Sequence, residues 1–199
     1  EISFECRDEM GFLCNKYIYA EIMGKYSNII FCDNEKKIIA AIKPVDFTTS
    51  SKRQVLAGMK YELPPKQDKK TPLYTNIDEF SELFNNEYSE KKISRFITDS
   101  YLGISLLVAN EIAYRVTGNI DSLLSDCNVD SLWLVFNEYI NILKEKNFTP
   151  ILIKNNDNAV EFSFMPIKQF GGVYTCLECE TFSQLIDEYY TKKERINHI

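Results

Sequence analysis

The chain has 199 residues, 45% of them hydrophobic and 26% charged, with a formal net charge of −6 at pH 7. That length can bury a real core and holds one domain or two small ones. It contains no apolar run long enough to span a bilayer as a helix, and the acidic balance argues against nucleic-acid attraction over the whole surface.

Charge is unevenly spread. Residues 36–70 carry nine Lys and Arg against three acids, whereas residues 101–199 carry eight basic against thirteen acidic side chains. The basic strip reads either as a solvated loop or as a surface able to meet a phosphate backbone. The chain opens at Glu1 with no basic-then-apolar leader, and residues 1–5 look like the inside of a strand. The expectation is therefore a fragment with an upstream part missing.

In chain order, β-like runs occupy 2–6, 17–23, 28–32 and 37–43. The second and third flank a Gly-containing turn that should present Lys25, Tyr26, Ser27 and Asn28 to solvent. Ile38 to Ile42 reads as a strand buried on both faces, ended by Pro44. Residues 46–76 read as a long ordered loop pinned by Tyr61, Leu63, Pro64 and Pro65. Helices are expected from Asn76, which could cap with Glu79, from Glu90 to Ser100, from Leu106 to Val116, and from Val129 to Glu145. In the last of these, Leu132, Val135, Phe136, Tyr139, Ile140 and Leu143 share a face that Trp133 and Leu134 broaden. Three short strands near 150–154, 159–165 and 173–178 follow, with the turn Asn155 to Asn158 in the first hairpin, and a final helix begins at Thr181.

The turn Leu102-Gly103-Ile104-Ser105 between two helices, with small Ala109 at packing distance, has the form of a helix-hairpin-helix. Such units hold nucleic-acid backbone through amides at a helix N-terminus; two packed helices on a Gly turn are the plainer reading. The six cysteines form no framework, Cys176 and Cys179 lack two further zinc ligands, and the single His198 gives histidine chemistry little support. There is no Gly-rich phosphate loop, HExxH or GxSxG motif. Asp8-Glu9 and Glu178/Glu180 read as solvated acids, so no enzyme, cofactor or metal is expected.

Two ordered stretches carry a family resemblance: EIMGKYSNII at 21–30, then YELPP at 61–65. It continues through Gly103-Ile104-Ser105 and Ala109 to Arg115. This text resembles the N-terminal domain of the NFACT family, whose bacterial members were first described as fibronectin-binding proteins and are understood as ribosome quality-control factors.

The elements compose an α+β fold in three parts, a β-rich N-terminal part at 1–75, a helical middle at 76–128 with the helix-hairpin-helix, and a small α+β part at 129–199; the resemblance implies that the first is part of a glycosylase-like lobe. The glycosylase proline nucleophile and zinc finger are not seen here. It also implies binding to the large ribosomal subunit with peptidyl-tRNA, and recruitment of alanyl-tRNA for alanine tailing, in the cytoplasm and without a catalytic constellation.

The residues carried over are Glu21, Ile22 and Met23, with Gly24, Lys25, Ser27 and Asn28 beside them. Tyr26 stands where His is usual, and an Asp-Arg pair would be expected just before Glu1. Strand alternation puts Glu21 and Met23 on one face and Ile22 on the other, so part of this step must be core. Lys25 and Asn28 are the better direct contacts. Lys52, Arg53, Lys69 and Lys70 supply candidate phosphate contacts, and Gly103 and Ser105 the turn amides. A fibronectin-binding adhesin and a plain scaffold domain remain as other readings, and the sequence says nothing of oligomeric state.

Overall fold

A computed structural model describes the backbone of residues 1–197 and the side chains of residues 1–191; His198 lies outside the described residues. The fold is α+β and divides into two compact units, Glu1–Gln67 and Asp68–Ile199. Among the described residues no helix is long and apolar enough to cross a membrane.

The first unit is a four-stranded antiparallel meander, β1 (Ile2–Arg7), β2 (Leu13–Glu21), β3 (Asn28–Cys32) and β4 (Ile38–Ala41), in that spatial order. Alternation decides its faces. Tyr19, Ile30, Cys32 and Ile38 point to one side and meet Val55 from the following loop, whereas Ile2, Phe4 and Ile29 are exposed. The expectation that 38–42 is buried on both faces is corrected. β4 is an edge strand with Ile39, Ala40 and Ile42 exposed.

The chain after β4 is fastened rather than loose. Val45 and Val55 exchange backbone bonds of 3.0 and 2.7 Å, and Ile38 N–H donates to Met59 C=O at 2.7 Å. Tyr61 N–H donates to Lys36 C=O at 2.8 Å, so Tyr61 does anchor this segment. Leu63 is 77% exposed and does not.

The second unit contains α1 (Ile77–Asn85), α2 (Ile93–Ser100), α3 (Leu106–Thr117), α4 (Val129–Glu145), β5 (Ile151–Asn155), β6 (Asn158–Ser163), β7 (Thr175–Glu178) and α5 (Phe182–Asn197). The sheet is antiparallel in the order β6-β5-β7. Three helices start where a side-chain oxygen takes the third amide: Asn76 from Glu79 N–H, Ser105 from Val108 N–H and Asn128 from Ser131 N–H. One core joins Phe80, Phe96, Tyr101, Ile112 and Phe136 to Ile151 and Ile153. That core crosses the boundary expected at 128/129, because α4 packs against both α1 and α3. Leu134, expected to broaden its buried face, is 64% exposed.

A carboxylate sits inside this core. Glu111 of α3 is fully buried and accepts Arg115 Nε–H at 2.7 Å and the amides of Lys168 and Gln169 at 2.9 Å each. Arg115 also donates to Pro166 C=O at 2.7 Å. The pair thus ties the segment after β6 to α3. Glu111→Ala orphans two amides and should cost about 2–4 kcal/mol, read as a lowered thermal midpoint; a loss within about 0.5 kcal/mol would mean the segment is held by other contacts.

Candidate nucleic-acid interface

The stretch from Glu21 to Asn28 folds as the end of β2, a single 3-10 turn at Gly24–Tyr26, and the start of β3. Gly24 takes φ +56°, which a residue without Cβ adopts freely. The turn closes on itself: Tyr26 N–H donates to Met23 C=O at 3.1 Å, Ser27 N–H to Gly24 C=O at 3.0 Å, and Met23 N–H to Ser27 Oγ at 2.9 Å. Ser27 is therefore a brace within the turn.

Asn28 is buried, correcting its placement as a solvent-facing donor. Its amide donates to Lys43 C=O at 2.7 Å and accepts Lys43 N–H at 2.9 Å, clamping the turn to the chain after β4. Lys43 Nζ in turn donates to Lys25 C=O at 3.1 Å. What the turn offers outward is Ile22, Lys25 and Tyr26. Ile22 is 92% exposed, so the buried member of its step is the acid and not the aliphatic residue. Lys25 Nζ lies 4.9 Å from the centre of the Tyr26 ring.

Glu21 points inward, on the same face of β2 as Tyr17 and Tyr19. Its Oε1 accepts Arg53 Nη2–H at 2.6 Å and the Tyr61 hydroxyl at 3.0 Å, and its Oε2 accepts Arg53 Nη1–H at 3.1 Å. Only 11% of the Arg53 side chain and 6% of the Glu21 side chain are exposed. The guanidinium lies 5.4 Å from the centre of the Tyr61 ring, and Tyr61 stacks on Tyr19 at 3.7 Å. Burial and the bond to Glu21 push the Tyr61 hydroxyl well above its ordinary pKa. A hollow of about 290 Å³ lies beside this group, lined by Tyr19, Glu21, Ile22, Met23, Tyr61 and Leu63 among others.

The loop that delivers Arg53 is itself ordered by one acid. Asp46 Oδ1 accepts the amides and hydroxyls of both Thr48 and Thr49, at 2.7 to 3.0 Å. Ser50 Oγ then accepts the amides of Lys52 and Arg53. Arg53 turns inward and Lys52 stays exposed.

Of the fourteen residues expected at the site, Glu21 to Asn28, Lys52 and Arg53 lie in the first unit; Lys69, Lys70, Gly103 and Ser105 lie in the second. The second group forms its own cluster. Lys70 pairs with Tyr101 in a parallel bridge, and Lys69 Nζ donates to Thr98 C=O at 2.8 Å near the end of α2. Lys69 and Arg53, expected to meet phosphate, are both engaged within the protein. Lys70 is exposed and 3.7 Å from Glu79. Gly103 holds φ +74° and Ser105 caps α3.

Sequence reasoning left out Tyr19, Tyr61, Lys43 and Asp46 as parts of this site. The signal for the first two was present: an acid two residues beyond Tyr19 on the inward face of β2 requires a buried partner. Among the described residues no group of three or more His, Cys, Asp or Glu side chains could hold a metal ion.

The family profile described as NFACT N-terminal and middle domains matches residues 1–199. A relative named Rqc2 homolog RqcH, from Bacillus subtilis (strain 168), is 31% identical over 189 residues, which cover 94% of this chain and 31% of the relative. Another of that name, from Streptococcus suis (strain 05ZYH33), is 39% identical over 116 residues, covering 57% of this chain and 20% of the relative. The chain thus spans about a third or less of these relatives. A solved fibrinogen binding protein from Staphylococcus aureus superposes with TM-score 0.69 at 26% identity, over 94% of this chain and 64% of that one. The N-terminal part of a fibronectin/fibrinogen-binding protein from Streptococcus suis shares the fold, with TM-score 0.60 at 24% identity over 95% and 61% of the two chains.

The bonds to Asp46 hold its carboxyl down from an ordinary 3.8 to about 2. A carboxylate with a lowered folded-state pKa stabilises the fold above its unfolded pKa, and that contribution disappears as pH falls through the folded value. The thermal midpoint should therefore drop between pH 4 and pH 2, roughly, and Asp46→Ala should flatten that part of the profile while lowering the midpoint at neutral pH. An identical acid limb in the variant would contradict the assignment.

Proposed function

Because the chain belongs to the NFACT family, we propose that it is an RNA-contacting part of a ribosome quality-control factor. The factor binds the large ribosomal subunit carrying peptidyl-tRNA and recruits alanyl-tRNA, so that the ribosome adds alanines to the obstructed chain. In this reading the chain positions RNA and performs no bond chemistry, needs no cofactor, and works in the cytoplasm.

The observation that carries the reading is the exposed trio Ile22, Lys25 and Tyr26 on a braced turn. An ammonium suits phosphate, an exposed ring suits an unstacked base, and a bare aliphatic side chain suits the apolar faces of ribose and base. Lys43 beside Lys25, and Lys52 before the inward Arg53, add cations to the same unit. Gly103 and Ser105 supply a separate helix start that phosphate could approach.

A second reading follows from the names of the solved relatives and from β1, whose outer edge has no strand partner among the described residues. An extended segment of fibronectin or fibrinogen could add there through main-chain bonds.

Salt separates the two. Transfer-RNA binding followed by fluorescence anisotropy should weaken steeply with salt, and Lys25→Ala and Lys52→Ala should each reduce the log–log slope by about one phosphate contact. Lys69→Ala, which loses an internal bond instead, should lower stability with the slope intact. Binding of fibronectin by strand addition would hardly respond to either surface change. No tRNA binding at low salt would overturn the RNA reading for this chain.

A further inference from the structure

The first residue of the matched step, Glu21, faces inward and offers no contact. Glu21 is 8% exposed, and its carboxylate is spent on Arg53 and Tyr61. Its neighbour Ile22 is 92% exposed. β2 therefore ends on a clamped residue, and the chain turns outward in the next one. Both ends of the turn are held in this way, since Glu21 pairs with Asn28 across β2 and β3 and Asn28 is gripped by Lys43.

We propose that Arg53 and Tyr61 are positioning residues, acting through Glu21 to set the pose of the Ile22–Ser27 turn for RNA without touching RNA themselves. This rests on the RNA reading above for its consequence, though not for its geometry.

Three features favour positioning over simple stability. A buried ion pair often stabilises no better than apolar residues of the same volume, because desolvation offsets the attraction. What a planar guanidinium adds is direction, and here both Nη atoms bond the two carboxylate oxygens. The Tyr61 hydroxyl then fixes the remaining rotation of Glu21, while its ring is held against Tyr19. The result is a rigid last residue in β2, the hinge point of the exposed turn.

The test uses the 199-residue chain and two readouts. Amide hydrogen exchange without RNA should be about fivefold or more faster at Ile22 to Ser27 in Tyr61→Phe, the scale of one lost hydrogen bond, with Ile30 and Cys32 unchanged. Arg53→Met should loosen the turn further, and Arg53→Lys should restore part of the protection. In the anisotropy titration these variants should bind tRNA severalfold more weakly with the salt slope unaltered, because no phosphate contact is removed. Lys25→Ala should do the opposite, losing slope with normal exchange.

Unchanged exchange in the turn, or an equal rise throughout β2 and β3, would overturn the positioning role. Were the parent chain to bind no tRNA, the RNA reading would fall, and the exchange data alone would still decide whether the clamp sets the turn.

Discussion

A carboxylate buried at the end of a strand must be neutralised where it lies, and much of the first unit follows from how Glu21 meets that demand. Its partner Arg53 is 32 residues further along the chain, so the intervening segment has to return across the sheet. Asp46 and Ser50 fold that segment tightly enough to aim the guanidinium inward. Tyr61 completes the group after a stretch that pairs along Lys36 and Ile38. The apolar cluster beneath is small: Tyr19, Ile30, Cys32, Ile38 and Val55. With so little apolar area, a directional polar group decides what hydrophobic burial leaves open, namely where the loop lies and how the β2–β3 turn leaves the sheet.

The second unit solves a related problem with a shorter reach. Glu111 is more deeply buried than Glu21, and its cation Arg115 lies one helical turn away on α3. Its other oxygen then binds two amides of the segment after β6. In each unit an acid within a family-matching stretch joins regular structure to an irregular segment. Such residues read as surface acids when only the local text is considered. Their burial becomes intelligible once the segment they hold is known.

That contrast explains what was legible in the sequence. α4 was readable to the residue because its apolar period and its Asn128 cap are both local signals. β3 was readable for the same reason, between a Gly turn and an Asp-Asn turn. β2 begins earlier than expected, since Asn15 and Lys16 look unlike strand residues yet pair with Glu5 and Phe4. β4 was misjudged because an apolar run carries no mark of whether one face or two is covered. At the site, alternation correctly required that part of Glu21-Ile22-Met23 be core, but it left open which member. Glu21 could be buried only with a cation from a distant loop, and pairing over that distance leaves no local trace. The same holds for Asn28, whose partner is the backbone of Lys43, a position any residue type could fill.

The basic strip deserves a finer reading than its sum. Arg53 is committed to Glu21 and Lys69 to a helix-end carbonyl, while Lys36 lies over the rings of Tyr17 and Tyr19 and 3.6 Å from Glu1. The exposed cations that the RNA reading draws on, Lys25 and Lys52, with Lys43 exposed but donating to Lys25 C=O, are few against a net charge of −6. A protein of that balance cannot draw a polyanion by its overall field. Whatever affinity it has for RNA must come from a small number of contacts made at the right places, and a contact of that kind is worth only as much as its placement is fixed. On the proposed RNA reading the buried clamp and the sparse cations are two sides of one arrangement: where charge is scarce, geometry has to carry recognition, and in this unit Glu21 ties the end of β2 to Arg53 and Tyr61.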